Sequence, residues 1–156
     1  MSSIIQAQEI FTMTSTMTAT GIDAVVSAVV TTVVEAWNRH DMKAYSALFT
    51  EDADFVNVVG MHFRGRPQIE AVHIDLHRTI FKNSNLRAVS TAVRLVNDQI
   101  ALAHIAWEMT GAEGLPGWNV PELRKGMMSL LLVGSGDRWL ITAAQNTEFV
   151  PLELPK

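Results

Sequence analysis

The sequence predicts one α+β domain in which three helices are followed by a mainly antiparallel sheet. Apolar residues recur every three or four positions up to about residue 81, and from residue 85 onward they alternate with polar ones. Helical segments grouped first and strands grouped last favour this class over parallel α/β, in which the two would alternate. The 156 residues, 48% of them hydrophobic, are enough for one domain with a real core.

Three helices are predicted in the amino-terminal half. The first covers Ile22 to Arg39, and its apolar stripe at a spacing of four consists of Val25, Val29, Val33 and Trp37. Asp41 is the expected N-cap of a short second helix, Met42 to Phe49. Pro67 is tolerated in the first turn of a third helix, which runs to about Phe81.

Six strands are predicted. Residues 52–54 mark a turn, after which residues 55–59 and 61–64 form a short hairpin before the third helix. The four long strands are expected at residues 86–96, 100–110, 125–133 and 138–149. Residues 111–123 make a loop longer than an ordinary hairpin connection, and with Trp118 they are expected to form a lip over a site.

Composition excludes several classes of function. The net charge is −4 and the 12 Lys and Arg residues are scattered, which argues against nucleic acid as a partner. The chain has no cysteine, so disulfides and thiolate metal sites are excluded. No signal peptide and no membrane span are evident, and we expect a cytoplasmic protein. The predicted organisation is an arm at 1–20, a domain at 21–150 and a tail at 151–156.

Several short motifs, in their order and spacing, resemble the NTF2-like superfamily over about residues 22–150. They are Trp37-Asn38-Arg39-His40-Asp41, Leu48-Phe49-Thr50-Glu51-Asp52-Ala53, Gly60, Gly65-Arg66-Pro67-Gln68-Ile69, Trp139-Leu140-Ile141 and Gln145-Asn146-Thr147. The closest resemblance is to the small SnoaL-like proteins of polyketide and enediyne gene clusters. It implies a cystatin-like cone, with three helices on a curved mixed or antiparallel sheet, and does not specify a reaction.

The ketosteroid isomerase branch of that superfamily provides a test of activity. Its aspartate base lies in the frame that here reads Asp52-Ala53-Asp54-Phe55-Val56-Asn57-Val58-Val59-Gly60, which places the amide of Asn57 at the base position. The tyrosine and the protonated acid of its oxyanion hole correspond to Val33 and to Ser129 or a neighbour. All three catalytic groups are missing, so we expect no steroid isomerase activity of that type.

Strand alternation, anchored on the same resemblance, predicts a mostly apolar pocket for a small hydrophobic metabolite. The side chains expected to bind the ligand are Trp37, Phe49, Phe55, Ile105, Trp107, Met127, Ser129 and Asn146. His73 and Asn57 are the candidate catalytic groups, His73 as general acid or base and Asn57 as a hydrogen-bond donor. The opposite, convex face, which includes His104, is expected to form a homodimer.

Each candidate residue also has a purely structural interpretation. For His73 the alternative is a packed, hydrogen-bonded core histidine, which is the usual role of a histidine on the apolar side of a helix. Asn57 alternatively satisfies strand or loop backbone, Asn146 alternatively bonds the amino-terminal helix, and Trp107 alternatively fills the core. His73 and His77 have a helical metal-ligand spacing but no convincing third ligand, so we expect neither a metal nor another cofactor. Three functions stay open: a cofactor-free cyclase, isomerase or lyase; a binding or accessory protein; and an oligomerisation module resembling the association domain of calmodulin-dependent kinase.

Overall fold

The computed structural model describes residues 19–117 and 119–150, with side chains from residue 21 onward. The elements occur in the order α1 (Ala19–Asn38), α2 (Met42–Ser46), β1 (Phe49–Val56), β2 (His62–Arg64), α3 (Arg66–Arg78), β3 (Asn85–Asn97), β4 (Ile100–Thr110), β5 (Leu123–Ser135) and β6 (Arg138–Glu148). The α+β class and the predicted order of elements are confirmed. Most of the predicted arm, Trp118 of the predicted lip and the tail lie outside the described residues. No described helix is long and apolar enough to cross a membrane.

The six strands form one mixed sheet in the order β2-β1-β6-β5-β4-β3. β1 runs parallel to β6, and every other neighbouring pair is antiparallel. Helices α1 and α3 pack on the concave face of the sheet, α2 packs against both of these helices, and a single cluster of buried apolar residues forms the core between the layers. The ends of β1, β4 and β6 and the starts of β3 and β5 therefore meet at one end of the sheet.

The predicted turn at residues 52–54 is wrong, because these residues belong to β1. Helix α2 ends at Ser46, although its N-cap is as predicted: Asp41 Oδ1 accepts a hydrogen bond from the Ala44 amide at 2.9 Å. The acidic run misled the prediction because its carboxylates lie on the outer side of the strand while Ala53 and Phe55 are buried. Pairing with β2 and β6 overrides the local preference for a turn.

The apolar stripe of α1 is rotated by about one residue from the predicted one. Ile22, Val26, Val33 and Trp37 are buried, whereas the predicted Val25 and Val29 are only half-buried. A spacing of four advances about 40° beyond a full turn at each step, so such a stripe drifts off the packed face. Alternate spacings of three and four keep the stripe on the sheet.

The end of α1 is fixed to the edge strand β3 by side-chain hydrogen bonds. Asn38 Nδ2 donates to the Leu86 carbonyl at 2.9 Å, and the Leu86 amide donates to Asn38 Oδ1 at 2.7 Å. Trp37 Nε1 donates to Ser84 Oγ at 3.0 Å. These bonds satisfy backbone groups of an edge strand and hold Trp37 over the concave face.

Gly111, after β4, lies against the loop that precedes β3. Its φ is +72°, and a Cβ there would lie 2.2 Å from the Asn83 carbonyl oxygen. We predict that Gly111→Ala lowers the free energy of unfolding by about 3 kcal/mol through strain and overlap. The matched control is Gly136→Ala in the β5–β6 turn, where φ is +59° and no atom lies within 4 Å. It should cost about 1 kcal/mol, and equal losses in urea denaturation would contradict the prediction.

Candidate functional site

A cavity of about 450 Å³ lies between the helices and the end of the sheet where β1, β4 and β6 finish. This volume is typical of small-molecule sites. Most of the wall is aliphatic or aromatic. The described residues that line the cavity are Trp37, Tyr45, Phe55, Asn57, Val58, Val59, Met61, His73, Leu76, Ile80, Phe81, Leu86, Trp107, Met109, Leu115, Arg124, Met128 and Asn146.

Strand register divides the cavity into layers. Phe55 pairs with Ala144 deep in the sheet, and His73 packs edge-on against Phe55 with ring centroids 5.0 Å apart. Val56 pairs with Gln145, and the next residue of each segment, Asn57 and Asn146, lines the cavity; we call these two residues the amide pair. The amide pair is two residues, or about 7 Å, farther towards the open end than Phe55. Beyond it, the β1–β2 turn forms one side of the mouth.

His73 is buried on α3 and fixed in one tautomer. Nδ1 lies 2.7 Å from the Ile69 carbonyl oxygen, which can only accept, so Nδ1 carries the proton. The neutral ring therefore keeps an unprotonated Nε2 for a ligand. Burial lowers the pKa of His73 to about 4, and the bond to Ile69 offsets part of that effect. At neutral pH the site holds a neutral imidazole with a lone pair on Nε2.

Asn57 lies just after β1, where its side chain organises the turn to β2. Oδ1 accepts hydrogen bonds from the backbone amides of Val59 at 3.1 Å and Met61 at 2.9 Å. Two donors on one atom identify that atom as the oxygen, so the orientation of the amide is determined. Nδ2 has no acceptor among the described residues, and the side chain lines the cavity.

Asn146 is oriented in a similar way by Trp107. Its Oδ1 accepts from the indole Nε1 at 2.8 Å, which leaves Nδ2 for the cavity. The indole crosses β5 at Gly126, where an added Cβ would lie 2.2 Å from Trp107 Cζ2. Glycine at this position therefore allows the contact between β4 and β6. The amide pair thus offers two NH₂ groups, both donors, in a mostly apolar wall.

Two of the polar residues that line the cavity, Tyr45 and Arg124, were not predicted as site residues. Tyr45 of α2 lines the cavity beside His73, with ring centroids 4.9 Å apart. Burial raises the pKa of its hydroxyl, which has no hydrogen-bond partner among the described residues. Arg124 is buried and forms a two-bond ion pair with Glu148 at 2.6 and 2.8 Å. The alternating pattern of β5 places Arg124 on the inner face, and this was the sequence signal that could have identified it as a site residue.

Met127 and Ser129 do not line the cavity, which corrects the prediction. Ser129 lies on the outer face, where its hydroxyl is 2.9 Å from Nδ1 of His104. The pairing of β5 with β6 shifts by one residue between Leu131 and Leu132. Without this bulge Asn146 would lie opposite Met127; with it, Asn146 lies opposite Met128. A slip of one residue moves every side chain to the other face.

The other predicted binding residues divide into wall and core. Trp37, Phe55, Trp107 and Asn146 line the cavity together with His73 and Asn57. Phe49 and Ile105 are buried in the core and are not among the described residues that line the cavity. The aromatic ring of Phe49 packs behind Tyr45 and Phe55 instead, because its strand position is one layer deeper.

His77 lies on α3 like His73 but has different neighbours. Its Nδ1 lies 2.8 Å from Nδ1 of His40, its ring packs on Trp37, and its Nε2 is enclosed without a partner among the described residues. Burial, followed by the nearby His40 and His73, lowers the pKa of His77 to about 4. No group of three or more His, Asp or Glu side chains suited to a metal occurs in the described part of the chain.

Comparison with known proteins supports this architecture. The family model for the SnoaL-like domain matches residues 30–130. A structure of an uncharacterised protein with a cystatin-like fold from Caulobacter vibrioides is 28% identical, with a TM-score of 0.76 over 83% of this chain and 90% of that one. The predicted cystatin-like fold is therefore confirmed. No curated protein matches the sequence closely enough to count as a relative.

Two more distant structures share the fold alone. A proposed scytalone dehydratase from Novosphingobium aromaticivorans is 10% identical, with a TM-score of 0.70 over 81% of this chain and 83% of that one. A proposed association domain of calcium/calmodulin-dependent kinase II from Xanthomonas campestris is 16% identical, with a TM-score of 0.65 over 81% of this chain and 87% of that one.

We predict that the protein loses stability as the pH falls from about 6.5 to about 4. In this window the unfolded chain protonates His73 while the folded protein does not, so the unfolded state binds more protons. His73 alone contributes about 3 kcal/mol to the loss. In urea denaturation, the free energy of unfolding of His73→Phe should depend less on pH than that of the native protein. His62→Gln, which replaces an exposed histidine, should keep the pH dependence of the native protein. Equal pH dependence in native protein and His73→Phe would refute this.

Proposed function

Since the chain belongs to the family of SnoaL-like domains, we propose that it binds a hydrophobic, oxygenated small molecule and transfers a proton on it without a cofactor. Reactions of this kind are those of a cyclase, an isomerase or a lyase. The proposal is supported by one observation above all: His73 Nε2 and the NH₂ groups of the amide pair line one mostly apolar cavity without a partner among the described residues, and the Tyr45 hydroxyl lies beside His73 in the same wall.

The groups have complementary roles in such a reaction. His73 Nε2 takes the proton from a carbon beside a carbonyl group, and the electron pair of that C–H bond moves towards the carbonyl oxygen. The NH₂ groups of Asn57 and Asn146 donate hydrogen bonds to the oxygen as its negative charge develops. The low pKa of His73 makes its protonated form a strong acid, which then returns the proton to another atom of the substrate.

Binding to the amide pair is testable with a fluorescent aryl ketone whose emission shifts in apolar surroundings. We predict that Asn57→Asp and Asn146→Asp each weaken binding of the ketone by at least about tenfold, because a donor is replaced by a charged acceptor. Asn97→Asp is the matched control. Asn97 also accepts a backbone hydrogen bond through Oδ1, from Gln99, but lies outside the cavity. Unchanged affinity in both cavity variants would remove the amide pair from the site.

The enzyme and the binding protein make different predictions for His73. In the enzyme, His73→Phe keeps the ring contacts with Tyr45 and Phe55 and abolishes turnover of any substrate found by screening, while ligand binding remains. In the binding protein, a metabolite that co-purifies with the native protein is recovered chemically unaltered after prolonged incubation. Mass spectrometry of the released compound distinguishes the two. The absence of the isomerase base, tyrosine and acid is the observation that favours the binding protein.

We also propose a homodimer through the outer face of the sheet. That face carries half-buried apolar side chains where an antiparallel sheet facing water would be polar. They are Leu102, Ala106, Met127, Leu131, Val133 and Ala143. Light scattering should give twice the chain mass, and Leu131→Lys should give a monomer. A ring larger than a dimer would favour the assembly function that the neighbour from Xanthomonas campestris represents.

A further inference from the structure

The mouth of the cavity is bordered by apolar side chains that are exposed to water. Val59, Met61 and Leu115 line the cavity, yet 65%, 55% and 52% of their surfaces are exposed. Two separate segments supply them, the β1–β2 turn and the β4–β5 loop. Single exposed apolar residues are ordinary, but these three continue an apolar interior out to the surface. We call these three residues the rim.

We propose that the rim is a second subsite, which holds the apolar tail of a ligand whose oxygen lies at the amide pair. This inference rests on the proposed small-molecule site. The order of residues along β1 and its turn supports it: Phe55 is deepest, Asn57 follows, and Val59 and Met61 lie outermost. A molecule held by its oxygen at Asn57, with its chain directed outward, must therefore pass the rim.

The charges of the wall indicate which oxygen group is bound. Among the described lining residues Arg124 is the single one with a formal charge at neutral pH, and Glu148 matches it through the ion pair. A carboxylate would meet NH₂ donors but no unmatched positive charge, and its desolvation would be costly. The ligand class is accordingly a neutral ketone or ester with an extended apolar chain, rather than a fatty acid.

The test uses 6-acyl-2-dimethylaminonaphthalenes, which share one fluorescent head and differ in the length of the acyl chain. Acetyl, hexanoyl and octanoyl members are titrated into native protein and into a triple variant carrying Val59→Ser, Met61→Ser and Leu115→Ser. Val89→Ser is the control, at an exposed residue of β3 away from the cavity. The probes report binding through a blue shift of their emission.

In native protein the affinity should rise with chain length, by about tenfold or more from acetyl to octanoyl. The triple variant should bind the acetyl member within about twofold of native protein and lose most of the gain for octanoyl. Equal affinity of the native protein and the triple variant for octanoyl would overturn the subsite while leaving the cavity site intact. Failure of every member to bind native protein would instead overturn the proposed function, and the subsite with it.

Discussion

The structure of the site depends on the hydrogen bonds that fix the nitrogen-bearing side chains of its wall, since an unpaired polar group in an apolar cavity is costly. His73 donates from Nδ1 to Ile69, Asn146 accepts from Trp107, and Asn57 accepts from its own turn. In each case one atom of the side chain is used by the protein, and this determines which atom remains for a ligand. The stability of the wall and the chemistry it offers therefore come from the same bonds.

This arrangement also keeps the site electrically neutral. Burial holds His73 uncharged, the amides carry no charge, and Arg124 is matched by Glu148. A neutral, fixed set of donors and acceptors needs little reorganisation when charge develops on a bound molecule, which is the condition for electrostatic stabilisation. The low pKa of His73 limits its strength as a base, so such a reaction needs a substrate with an acidic C–H bond or a good leaving group.

The sequence was sufficient for the order of helices and strands, because hydrophobic periodicity reports directly on the packed face. It placed His73, Asn57, Trp107 and Asn146 around one pocket, and all four line the cavity. It failed at Met127 and Ser129 because the bulge in the β5–β6 pairing, one extra residue in the ladder, has no local signature in the sequence. Tyr45 was missed as a site residue because a short apolar helix does not reveal whether its inward face meets core or cavity.

Replacement of the isomerase base by Asn57 changes more than the strength of one group. An aspartate at this turn would present an acceptor to the cavity from the sheet side, whereas the amide presents a donor. The remaining unprotonated nitrogen, Nε2 of His73, belongs to α3 on the opposite wall. Proton abstraction would thus occur on the helix-facing side of the ligand while the sheet holds the oxygen. In the proposed reaction the proton would therefore leave from a different face of the ligand than in the isomerase, and fold similarity alone does not specify the reaction.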